Sequence, residues 1–152
     1  MFHIILYQPQ IPQNTGGILR LCANTGTKLH IIEPMGFQLS DKQLKRSGLD
    51  YIANAVLQRY EDLESCLSSI KANNVYLCST KAATVYSDAQ FCENDALIFG
   101  SETNGLPLEV MQVYPEDRKI TIPMCTEHGR SLNLAMACGI VIYEAWRQLS
   151  FK

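Results

Sequence analysis

With 152 residues, 47% of them hydrophobic and 18% charged, the chain has the make-up of one ordinary globular domain, 1–152, and not that of a disordered tract. A net charge of −2 excludes general electrostatic attraction to nucleic acid, so any nucleic acid has to be met by a local basic patch. No apolar run approaches the roughly 20 residues that cross a bilayer, and the first residues carry neither a basic leader nor a small-residue cleavage site.

Phe2–Tyr7 is a continuous apolar run, short enough for a buried parallel strand. Pro9 and Pro12 hold the next stretch extended. Asn14 or Thr15 then caps a helix to about Asn24, with Gly26 just beyond its end. Leu29–Ile32 reads as a second strand stopped by Pro34, and Ser40–Ser47 as a short polar helix stopped by Gly48. Tyr60–Lys71 is an amphipathic helix, because Leu63, Leu67 and Ile70 recur at helical spacing. Val75–Cys78, Leu97–Phe99 and Ile120–Ile122 are short apolar runs that end in small or polar residues. Pro107 suits the first turn of a helix through Val113. Strands alternating with helices predict an α/β fold with a mainly parallel sheet covered on both faces.

The last element, Ser131–Leu149, is the longest and is apolar nearly all round, interrupted only by Asn133, Gly139 and Glu144 before Trp146. The sheet of so small a domain covers one face of such a helix. A twofold partner is the simplest cover for the other, so a homodimer is expected.

Six cysteines are scattered without a Cys-x-x-Cys pair and sit mostly in apolar runs. They read as reduced, buried side chains of a cytoplasmic protein, with neither a disulfide framework nor a metal site. Gly-x-Gly-x-x-Gly and Gly-x-x-x-x-Gly-Lys-Ser/Thr phosphate cradles are absent, as is a Gly-x-Ser-x-Gly elbow around Ser101. His3 and His30 lie inside strand-like runs and read as structural imidazoles. His128, in a polar segment, is a candidate proton acceptor.

Three polar-and-glycine segments follow apolar runs, where ligands bind in α/β sheets. They are Asn14-Thr15-Gly16 with Arg20; Phe99-Gly100-x-Glu102-x-x-Gly105-Leu106-Pro107; and Ile122-Pro123-Met124 with Ser131-Leu132-Asn133-Leu134-Ala135. Together they resemble the three motifs of the SPOUT RNA 2′-O-ribose methyltransferases, in order and over nearly the whole chain. Arg20-Leu21-Cys22-Ala23-Asn24-Thr25-Gly26, His30-Ile31-Ile32-Glu33-Pro34-Met35-Gly36-Phe37 and Tyr143-Glu144-Ala145-Trp146-Arg147 are similar to the minimal, TrmL/YibK-like members, which methylate the wobble nucleotide of certain leucine tRNAs.

The resemblance implies a deep C-terminal trefoil knot, S-adenosylmethionine as cofactor without a metal, and a tRNA anticodon stem-loop as substrate. It also implies a homodimer with the site at the subunit interface. Backbone groups near Cys78, Gly100, Ile122, Ser131 and Leu132 would hold the cofactor. Arg20 matches the residue placed near the ribose. An arginine is essentially always protonated, so Arg20 suits a phosphate clamp and hydroxyl orienter better than a base. Asn14 and Asn133 would fix loop geometry or hold the ribose, and Glu102 would orient Arg20 or stabilise positive charge nearby. Ser131 would cap the last helix and touch substrate or cofactor. Lys42, Lys45 and Arg46, with Arg130 and Arg118, are candidate phosphate contacts, and a solvated helix face accounts for the first three nearly as well. The motifs leave open another tRNA or ribosomal RNA position, or a catalytically silent RNA-binding dimer.

Overall fold

A computed structural model describes residues 1–40, 42, 46, 49–125 and 129–152. Its elements run β1 (His3–Tyr7), α1 (Pro12–Thr25), β2 (Lys28–Ile32), α2 (Asp50–Val56), β3 (Leu57–Tyr60) and α3 (Leu63–Ile70). They continue with β4 (Val75–Cys78), β5 (Thr84–Val85), β6 (Ala96–Phe99), α4 (Leu108–Val113), β7 (Lys119–Thr121) and α5 (Leu134–Gln148). The seven strands form one sheet in the order β3-β2-β1-β6-β4-β7-β5, and every neighbouring pair is parallel.

Side chains alternate across this sheet, and both faces are apolar because helices cover both. Ile4 and Leu6 of β1 join Leu97, Phe99 and Ile120 in a core shared with Ile18 and Leu19 of α1 and Val141 and Ile142 of α5. Ile5 faces the other way, with Leu77 and Ile98, against Cys66 of α3 and the partly buried Val110 and Met111 of α4. Burying each large aliphatic side chain contributes about 1.5–3 kcal/mol. The α/β layering predicted above is therefore what the chain adopts.

Several boundaries differ from the sequence reading, each for a physical reason. Helix α1 starts at Pro12, which supplies a ready-made φ at its first turn, so neither Asn14 nor Thr15 is its cap. Its far end matches: Gly26 closes it in the left-handed conformation, φ 68°. The helix expected over Tyr60–Lys71 begins only at Leu63, because the Asp62 side chain caps it by accepting from Ser65 N at 2.7 Å. Tyr60 instead completes β3, in register with Ile32. Helix α2, strand β3 and the two-residue β5 are additions that the sequence pattern does not announce. The polar helix expected over Ser40–Ser47 falls mainly outside the described residues.

His3 and His30 are buried side by side, with His3 Nδ1 and His30 Nε2 2.9 Å apart. Asn94 donates from Nδ2 to Lys71 O, so its Oδ1 is the acceptor for His3 Nε2 at 2.9 Å. That fixes the tautomers: His3 Nδ1 accepts from His30 Nε2, and His30 Nδ1 is left buried without a partner. Burial pushes both imidazoles towards the neutral form, lowering His30 to about 4.

Candidate active site

The carboxyl ends of four parallel strands lie in a row. Leu6 is in register with Phe99, Phe99 with Cys78, and Cys78 with Ile120. The segments that follow therefore leave the sheet side by side, and these hold Gln8–Ile11, Ser79, Gly100–Pro107 and Ile122. In open parallel sheets this edge is where ligands bind.

Glu102 reaches from the β6 loop to the start of α1. Its carboxylate accepts from Gln10 N at 2.7 Å, Ile11 N at 3.0 Å and Asn14 Nδ2 at 3.3 Å. Helix α1 has no side-chain cap from its own N-cap residue and no acid in its first turn. Glu102 thus supplies the negative charge that a helix N-terminus favours. Asn14, buried, accepts at Oδ1 from Asn133 Nδ2 at 2.8 Å. Asn133 in turn caps α5, its Oδ1 accepting from Ala135 N at 2.9 Å and Met136 N at 3.3 Å. One hydrogen-bonded chain, Glu102–Asn14–Asn133, joins the three polar segments.

This arrangement corrects two expectations. Glu102 does not orient Arg20: its oxygens are engaged at the start of α1, and among the described residues Arg20 has no hydrogen-bond or ion-pair partner. Ser131 does not cap the last helix. The helix starts three residues later, and Asn133 holds the cap position.

Arg20 is exposed on α1. It stands three residues, about 4.5 Å of helix rise, beyond Gly17, where α1 approaches Ala135 of α5. Cys78, Ile122 and Leu134 are partly buried and pack against the main core. Burial pushes the Cys78 thiol up, which keeps it neutral. Ser131 and Leu132 are exposed ahead of α5. Gly100 is obligatory on steric grounds: a Cβ there would stand 2.1 Å from the carbonyl carbon of Gly105, whose φ of 63° folds the loop back. His128 and Lys45 lie outside the described residues, whereas Lys42, Arg46 and Arg130 are exposed.

Sequence reasoning missed one part of this edge. Gln10 bonds Thr103 through its side chain. Beside that contact a cavity of about 220 Å³ opens between the β1–α1 loop and the Ser101–Pro107 loop. The non-glycine Gln8 on its wall has φ 51°. The one available signal was the amide-rich Gln8-Pro9-Gln10 at the end of an apolar strand. Among the described residues no group of three or more His, Cys, Asp or Glu could hold a metal ion, and no helix is long and apolar enough to cross a membrane.

A model of the SpoU rRNA Methylase family matches residues 1–143. The chain belongs to the SpoU methylase family. Relatives in it include a tRNA (cytidine(34)-2′-O)-methyltransferase of Aeromonas hydrophila, 48% identical over 151 residues, with 99% of this chain and 96% of the relative covered. Another of the same name, from Escherichia coli, is 46% identical with the same coverage. A solved structure described as giving insights into the 2-OH methylation of C/U34 on tRNA superposes with a TM-score of 0.87 at 42% identity, over 100% of this chain and 98% of that one. The SpoU methyltransferase AviRb from Streptomyces viridochromogenes, in complex with the cofactor AdoMet, shares the fold with a TM-score of 0.82 at 22% identity, over 97% of this chain and 57% of that one.

Proposed function

We propose that this chain, as a single domain, transfers a methyl group from S-adenosylmethionine to the ribose 2′-hydroxyl of the wobble pyrimidine, cytidine or modified uridine, in the anticodon of leucine tRNAs. The observation that carries the reading is the Glu102–Asn14–Asn133 chain, which ties three distant polar segments to one edge of a parallel sheet. Near-full-length similarity to enzymes named for cytidine 34 of tRNA supports the position and the hydroxyl.

The residues at this edge fit the cofactor. Cys78, Ile122 and Leu134 are apolar and uncharged, which suits an adenine ring, and the segments after β6 and before α5 would offer backbone groups at Gly100 and Leu132. When bound, S-adenosylmethionine supplies an electrophilic methyl on a leaving group that departs as a neutral thioether. The protein then has to position the hydroxyl, help remove its proton and exclude water. Arg20 acts as the fixed cation that clamps an RNA phosphate and orients the sugar, being permanently protonated. Asn14 and Asn133 hold the loops in register, and Ser131 contacts substrate or cofactor from the turn before α5.

The reading includes a cytoplasmic homodimer, supported by the open face of α5, where Met136, Ile140 and Tyr143 are exposed. It also includes a C-terminal trefoil knot. The position of β7 between β4 and β5, so that the 79–83 connection crosses the later strand, supports that threading.

Incubation with methyl-tritiated cofactor and bulk tRNA tests the proposal. Label is expected in the wobble ribose. Label elsewhere in tRNA or in ribosomal RNA would assign another target, and bound but unlabelled tRNA would indicate a silent RNA-binding protein.

A further inference from the structure

The cavity beside the Glu102 loop lies next to the Glu102–Asn14–Asn133 chain and shares Gln10 with it. At about 220 Å³ it is smaller than the 300–1,000 Å³ of drug-sized sites, so it takes a nucleobase and not a whole nucleotide. Its walls include Tyr7, Gln8, Gln10, Ser101, Asn104 and Pro107, none of them charged. Gln10 is engaged with Thr103, and Ser101 Oγ accepts from Asn104 N at 3.2 Å, leaving its own proton available. The side-chain amides of Gln8 and Asn104 have no protein partner among the described residues. Gln8 is also held at φ 51°, a conformation that non-glycine residues rarely adopt and that clusters at functional sites.

We infer that this cavity receives the base of the nucleotide being methylated, and that Gln8 and Asn104 read its edge. This deepens the function proposed above and rests on it. Tyr7 offers an aromatic face, and unpaired RNA bases are commonly stacked on such faces and read by hydrogen bonds to their edges. A carboxamide carries both a donor and an acceptor. Turned one way it accepts from the exocyclic amine of cytosine; turned the other it donates to the corresponding carbonyl of uracil. Two rotatable amides in an uncharged pocket therefore accept either pyrimidine.

The test replaces each amide by its acceptor-only isostere, Gln8→Glu and Asn104→Asp, in the full-length protein. Wild type and variants are assayed for kcat/KM on anticodon stem-loops that differ only in having cytidine or uridine at the wobble position, with cofactor affinity measured in parallel. The expected result is a rise of roughly tenfold in the cytidine-to-uridine ratio in at least one variant, within the discrimination of a paired base-edge contact, with cofactor affinity unchanged. A ratio unchanged in both variants, or equal loss on both substrates with cofactor binding intact, overturns the inference. Wild-type protein that methylates neither stem-loop, and labels some other RNA or none, overturns the underlying function instead.

Discussion

Asn133 serves two partners at once, capping α5 through Oδ1 and donating to Asn14 through Nδ2. Asn133→Ala removes the cap, about 1 kcal/mol, and leaves the buried Asn14 oxygen unpaired, about another 1–3 kcal/mol. Urea unfolding should record a loss of about 2 kcal/mol or more. Asn133→Asp keeps the cap but loses the donor, so its stability should exceed that of the alanine variant by no more than the cap's about 1 kcal/mol while methylation falls. Equal midpoints for the two variants would argue against the dual role. The histidine pair gives a second prediction at this scale. His30 is held neutral in the folded protein down to about pH 4, whereas the unfolded chain takes up that proton near 6.5. The unfolded state thus binds more protons between those values, so stability falls as pH drops from about 6.5 towards 4, by on the order of 3 kcal/mol at one shifted histidine. Melting curves across that range should show the slope, and His30→Gln, which keeps a donor for His3 but does not titrate, should flatten it. Asn14, Glu102 and Asn133 are legible in the sequence as motif residues. Their bonding is not, because Glu102 caps a helix whose N-cap residue, Ile11, lies 91 residues away from it.

Elements are legible where an apolar run or a helical period is long. β1, β2 and β6 are buried on both faces and read as continuous hydrophobic stretches. β3 closes one edge of the sheet, and its Gln58 and Arg59 are exposed, so Leu57–Tyr60 carries no strand signal and the preceding helix is missed with it. By composition the last helix is apolar all round. The structure divides it into a buried face, Cys138, Val141, Ile142 and Ala145, and an exposed one in which Met136 is 63% and Tyr143 46% accessible. If a twofold partner covers the second face, Ile140→Asp places an unpaired carboxylate in that interface. Light scattering at micromolar concentration should then give the monomer mass for the variant and twice that mass for wild type. A wild-type monomer would remove the dimer from the proposal.

At the scale of the whole molecule, a net charge of −2 makes RNA binding depend on where the cations sit. Lys42, Arg46 and Arg130 are all exposed. Replacing Lys42, Lys45 and Arg46 together with alanine should weaken tRNA binding and reduce the slope of log affinity against log salt, by about 0.7–0.9 for each phosphate no longer neutralised. An unchanged slope would mean that these residues face solvent only. The overall α/β class follows from alternating elements, whereas the strand order does not, since pairing β4 with β7 is a long-range choice that no local pattern encodes. That choice has a consequence for synthesis. When a growing chain has just emerged past Val85, β4 and β5 share no ladder, because the strand destined to bridge them has yet to be made. The half of the sheet that carries the candidate site is thus finished last, and chains cut short of Thr121 should emerge with that edge unsealed and prone to capture by other strands.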